Sequence, residues 1–207
     1  MATDAKEKLI ESAIRVFAEQ GFRAGKVADI VKGAGANIAA VNYHFGSKEQ
    51  IFVAALRQAF ADANEVYPSK GDLDESAPAE QKVAAVARAV LRRSFDEGKA
   101  GNFNRIMGKT MHVPGSPVEL ILNEVRSMEL DYVEKILAEY LKTKSPPILE
   151  WAKSNFIQLA TLICKRPGGS EGLFPGDPKP KEIEAMIEVQ IGVILASLKA
   201  LPQKFPT

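Results

Sequence analysis

The sequence predicts an all-α protein of about nine helices, on two observations. Nearly every segment between breakers repeats its apolar residues at helical spacing, and no run alternates apolar with polar residues cleanly enough for a strand. Clusters of Gly, Pro and Ser then cut the 207 residues into helix-length pieces.

In the first piece Leu9, Ile10, Ala13, Ile14 and Phe17 make one apolar face, with Asp4 and Glu7 as a capping pair ahead of it and Gly21 as its end. Val27, Ile30, Val31 and Ala34 mark a short second helix stopped by Gly33-Ala34-Gly35. Asn37 caps a third helix running to about Phe45. Ser47 and Gln50 read as a capping box opening a fourth, which buries Ile51, Phe52, Ala55, Leu56, Ala59, Phe60 and Ala63. Residues 67–78 are polar, with two prolines and a glycine, and read as a loop.

A helix bearing Val83, Val86, Ala87, Val90, Leu91 and Phe95 follows, then a break at residues 98–101 and a shorter helix bearing Phe103, Ile106, Met107 and Met111. A long helix is expected over residues 118–142, with Ile121, Val125, Met128, Tyr132, Ile136 and Tyr140 inward. Its carboxylates, Glu124, Glu129, Asp131 and Glu134, read as a solvated face. Pro146-Pro147 opens another helix to about Lys165, and the last runs over about 181–201. Both of these final helices are apolar around nearly their whole circumference and must be covered on all sides, by a second subunit or by the protomer's own core.

The composition, 46% hydrophobic and 26% charged, is that of an ordinary globular protein. The single cysteine, Cys164, excludes an internal disulfide framework and makes a cysteine-based zinc site implausible. No stretch has the length and apolarity of a signal peptide or a bilayer span, so a cytoplasmic protein without a membrane partner is expected. The net charge is +1, but residues 20–48 carry Arg23, Lys26, Lys32 and Lys48 against Asp29 alone. A local excess of positive charge suits contact with phosphates.

Residues 25–49, GKVADIVKGAGANIAAVNYHFGSKE, hold the chemistry. A short helix, a glycine turn and a second short helix packed on a longer one form a helix-turn-helix. With Val41 and Phe45 inward, Ala39, Ala40, Asn42 and Tyr43 cover the outer arc of the third helix, which has no long charged side chain. Alanines permit close approach in a major groove and Asn can pair with adenine N6 and N7. Tyr43 and His44 offer polar tips to phosphates, and Asn37 stands at the start of the same helix. Lys26 and Lys48, each at a helix start, join a cation to exposed amide donors. The candidate DNA contacts are therefore Lys26, Asn37, Ala39, Ala40, Asn42, Tyr43, His44 and Lys48. A helical hairpin used for packing or protein contact is the competing reading.

Ala34-Gly35, Tyr43-His44-Phe45 and Lys48-Glu49, with Ala13, Phe17, Ala18, Glu19, Gly21 and Phe22 ahead of them, resemble the signature of the TetR (tetracycline-repressor-like) family. The form N-x-A-A-V-N-Y-H-F resembles its CecR-like branch. Gly25 and Lys26 depart from the pattern, standing where many members have threonines, and Ala36 replaces the usual valine. The resemblance implies a helix-turn-helix domain over residues 1–47 and a C-terminal regulatory and dimerisation domain over 48–207. It implies a homodimer on a palindromic double-stranded DNA operator, usually a repressor released by a small-molecule effector. The family dimerises through its last two helices, here Phe156, Ile163, Ile187, Ile191, Ile194 and Leu198. Phe95, Phe103, Met107, Met111, His112, Trp151 and Phe156 are the candidates to line an effector cavity, core filling being the alternative for each. Asn104, Arg105, Asn155 and Gln158 are polar candidates to orient a ligand.

Catalysis is not expected: there is no phosphate-binding glycine loop and no Ser/His/Asp or Cys/His set on matched segments. With His44 and His112 the only histidines, no metal site and no cofactor are expected. A ligand-independent DNA-binding regulator, or a helical protein-interaction module, remains the alternative.

Overall fold

Leu9, Ala13, Ile14 and Phe17 recur three and four residues apart, and that spacing puts all four in the interior. The computed structural model describes residues 2–111, 113–161 and 178–201, and among these every regular element is helical. In chain order the elements are α1 (Ala2–Ala24), α2 (Val27–Ala34), α3 (Ile38–His44), α4 (Lys48–Val66), α5 (Ala79–Phe95), a 3-10 turn (Lys99–Gly101) and α6 (Asn102–Thr110). Then come α7 (Val118–Val125), a π-helical turn (Arg126–Leu130), α8 (Asp131–Leu141), α9 (Pro146–Thr161) and α10 (Pro180–Ala200). With α7, the π turn and α8 counted as one, the described residues hold nine helices, the number expected. His112, Ile163 and Cys164 lie outside the described residues.

Two compact units form, Met1–Val66 with Glu97–Val125, and Tyr67–Asp96 with Arg126–Thr207. The packing therefore does not divide at residue 47. Phe52 of α4 sets its ring edge-on against Phe17 and Phe22 of α1, at 5.0 and 5.1 Å between centroids, so α4 is bound into the N-terminal core. Residues 97–125 join that same unit, where α6 lies along α1. Phe60 of α4 meets Phe103 of α6 edge-on at 5.2 Å.

Two details of α1 differ from expectation. Asp4 is not a cap: it sits inside the first turn and accepts from Lys8 Nζ at 2.9 Å. Gly21 breaks the helical geometry with φ 73° and ψ 177°, yet the helix resumes over 22–24.

In the second unit α5, α8, α9 and α10 enclose a core that includes Val86, Leu91, Ile136, Leu137, Phe156 and Ile191. Along one side, Arg88 grips Glu188 at 2.8 and 3.0 Å and Arg92 grips Glu184 at 3.1 and 2.8 Å. Lys199 reaches Glu80 at 3.0 Å. The numbering rises on α5 as it falls on α10, which fixes the two helices antiparallel.

The carboxylates 124–134 are not one solvated face. Glu129 is buried and accepts from Arg93 Nη1 at 3.0 Å and from the Ser69 hydroxyl. Glu124 takes both guanidinium arms of Arg57, and Glu134 accepts from Lys153 at 2.6 Å; Asp131 is exposed. In the π turn and α8 the buried positions include 129 and 133 rather than 128 and 132.

Candidate nucleic-acid interface

The segment from α2 to α3 is built from local chemistry. Ile30 and Val31 of α2 are buried, and Gly33 lies so close to α1 that a Cβ there would sit 2.4 Å from Ser12 Oγ. Gly35 ends α2 in the left-handed region, φ 62°, where a non-glycine residue is disfavoured. Its amide donates to the Lys32 carbonyl at 3.2 Å, and the Ala36 amide donates to the Val31 carbonyl at 2.9 Å. Asn37 then caps α3, its Oδ1 accepting from the Ala40 amide at 3.0 Å. Ser47 Oγ accepts from the Gln50 amide at 3.3 Å to open α4.

Of the α3 residues only Val41 is fully inward. Asn42 and Ala39 are exposed, Tyr43 is 84% exposed, and Ala40 is half-buried rather than fully on the outer arc. Ile38, which periodicity does not single out, is 56% exposed. His44 is half-buried, edge-on to Tyr43 at 5.0 Å and to Phe45 at 6.2 Å. The outer surface of α3 is thus Ile38, Ala39, Asn42 and Tyr43, uncharged throughout.

The cations of this segment stand on the neighbouring elements. Lys26, at the N-cap of α2, is exposed and provides no side-chain cap to the helix. Lys32 is exposed at the other end of α2. Arg15 of α1 donates to the Gly33 carbonyl at 3.4 Å. Lys48 is more withdrawn: its Nζ donates to the Arg23 carbonyl at 3.4 Å and lies 4.7 Å from the Phe22 ring centroid. Burial there pushes its pKa down, and neighbouring Glu49 partly opposes the shift.

The effector candidates are divided between the two units. Phe103, Met107 and Met111 lie in the first unit, while Phe95, Trp151 and Phe156 lie in the second. Phe156 lies in the core of its unit, and Trp151 is 56% exposed on α9. Arg105 is occupied with the Gly98 carbonyl at 2.6 Å and Asn102 Oδ1 at 2.8 Å. Asn155 accepts from the Ser197 hydroxyl at 2.8 Å, and Gln158 donates to Ser154 Oγ at 2.9 Å.

Of the six dimer candidates, Ile163 lies outside the described residues and the other five face inward. Phe156, Ile187, Ile191, Ile194 and Leu198 are all buried in the protomer's own core. The opposite face of α10 is the exposed one: Ala185, Val189, Gly192, Val193, Ala196 and Ala200 recur at helical spacing, with Val189 69% and Val193 46% exposed. Trp151 and Ile157 stand exposed on α9, which packs on α10.

Residues 9–55, from α1 into α4, match the family described as "Bacterial regulatory proteins, tetR family". That N-terminal segment is of the TetR family. Over 64 residues the chain is 31% identical to the HTH-type transcriptional repressor NicS of Pseudomonas putida, covering 31% of this chain and 30% of NicS. It is 25% identical over 144 residues to the HTH-type transcriptional dual regulator CecR of Shigella flexneri, covering 66% of this chain and 64% of CecR. The match thus spans less than two thirds of either relative. A solved TetR-family transcriptional regulator from Streptomyces coelicolor has the same fold, with a TM-score of 0.62 at 21% identity over 95% of this chain and 90% of that one. Among the described residues, no helix is long and apolar enough to cross a membrane.

Proposed function

We propose that this chain is a sequence-specific regulator of transcription that binds double-stranded DNA, working in the cytoplasm as a homodimer. The observation that carries the reading is the outer surface of α3. A helix fixed by Asn37 at its start and Val41 on its inner side presents four uncharged side chains, with the exposed Lys26 and Lys32 at the two ends of the preceding helix. That is the division of labour a major groove requires, with cations for phosphates and short polar or apolar groups for base edges. The family match over residues 9–55, and relatives named as transcriptional repressors and regulators, support it.

Dimerisation is supported by the outward stripe of α10 and by Trp151 and Ile157 on α9, an exposed apolar surface of the kind a second subunit covers. A twofold dimer presents two copies of α3 to two inverted half-sites, so its operator is palindromic. We read it further as a repressor released by a small-molecule effector. That part rests on the family resemblance and on the repressors among the relatives.

The test is selection of duplexes from a random-sequence pool by the full chain, followed by titration of the enriched duplex at several salt concentrations. An enriched inverted repeat, with affinity falling steeply as salt rises, supports the reading. Enrichment of no sequence together with salt-insensitive binding contradicts it.

A further inference from the structure

We propose that Ile38 is a specificity-determining residue that covers the 5-methyl group of a thymine, within two base pairs of the pair that Asn42 reads. The proposal rests on the DNA-binding reading above and adds one contact to it.

The fold covers Ile38 only in part. It occupies the first position of α3, directly after the Asn37 cap. The apolar residues that clasp a helix start stand before the cap and at the fourth position, here Ala36 and the buried Val41, so Ile38 lies outside that clasp. A β-branched side chain is also a weak choice for a first helical turn, where small polar and acidic residues are favoured. Folding therefore gains little from isoleucine here, and more than half of its surface stays in water.

Its neighbours say what would cover it. Asn42 is four residues on, hence on the same side of α3 and about 6 Å further along the axis. Successive bases are 3.4 Å apart along each strand, so the two side chains span less than two base steps. Asn pairs through the adenine N6 and N7, and the apolar feature that an A·T pair shows in the major groove is the thymine methyl. The N-terminal residues of a recognition helix are the ones that reach base edges. Lys26 and Lys32, both exposed on α2, supply the charge that draws a nucleic acid to this surface.

The experiment uses the duplex enriched from the random pool, with each thymine replaced in turn by deoxyuridine, which differs only by the methyl. At one position in each half-site the wild-type chain is expected to bind the deoxyuridine duplex about fourfold more weakly per methyl removed. Ile38→Ala should bind both duplexes within twofold of each other at that position, and Ile38→Val should keep most of the preference. Melting temperatures run alongside establish that the variants are folded. An undiminished thymine preference in Ile38→Ala, or no preference at any position in the wild type, overturns the proposal while leaving DNA binding intact. Failure to enrich any duplex overturns this proposal, and together with salt-insensitive binding it overturns the DNA-binding reading as well.

Discussion

Gly21 faces the carbonyl of Lys109 so closely that a Cβ on Gly21 would stand 2.6 Å from that oxygen. Three hydrogen bonds secure the same joint between α1 and the segment from α6 to Pro114. Lys109 Nζ donates to the Glu19 carbonyl at 2.7 Å, the Phe22 amide donates to Thr110 Oγ1 at 3.4 Å, and Arg23 Nη1 donates to the Pro114 carbonyl at 2.8 Å. The kink in α1 thus lets α6 lie against the backbone.

Gly21→Ala meets two obstacles, the carbonyl contact and a φ, ψ combination open essentially to glycine alone. It should cost roughly 2–4 kcal/mol of stability, read from urea denaturation. An alanine variant with an unshifted midpoint would mean that this contact is not present in solution.

Arg93 and Glu129 form a buried ion pair inside the second unit, with Arg93 Nη2 also donating to the Tyr67 carbonyl at 2.8 Å and Ser69 Oγ at 2.9 Å. Removing one partner strands a charge, so Arg93→Met should destabilise by about 3–5 kcal/mol. The double replacement Arg93→Met, Glu129→Met should recover much of that loss, because no unpaired charge is left. Denaturation midpoints of the three proteins decide it, and a double variant as unstable as the single one would refute the pairing argument.

The two faces of α10 allow the proposed subunit association to be tested apart from folding. Val193→Asp places a charge on the outward stripe and should give folded monomers in analytical ultracentrifugation. Ile194→Asp, one residue on and buried in the protomer core, should instead abolish the cooperative melt. A dimeric Val193→Asp protein would move the subunit interface elsewhere.

What could be read in advance was local. Gly35 as a helix end, Asn37 as a cap and Ser47 as the start of α4 all follow from side chains that bond to backbone within a few residues. What could not be read depends on another element. The π turn at 126–130 comes with a buried Glu129 whose partner, Arg93, is on α5, so the continuous periodicity of 118–142 gave no sign of it. On α10 nearly every direction is apolar, and periodicity alone does not choose between the face of Ile194 and the face of Val193. Ile38 escaped notice for a related reason, since an isoleucine at a helix start reads as core until its exposure is seen.

The most direct test of the central claim compares Lys26→Ala with Asn42→Ala on the enriched duplex and on random DNA. Lys26 is proposed to meet phosphate, so its loss should weaken both duplexes alike and lower the slope of log affinity against log salt by roughly one per contact. Asn42 is uncharged and is proposed to read a base, so its loss should leave that slope unchanged. It should cost about 1–3 kcal/mol on the enriched duplex and little on random DNA. A folded Asn42→Ala protein with undiminished preference for the enriched duplex would contradict the assignment of α3 as the helix that reads sequence.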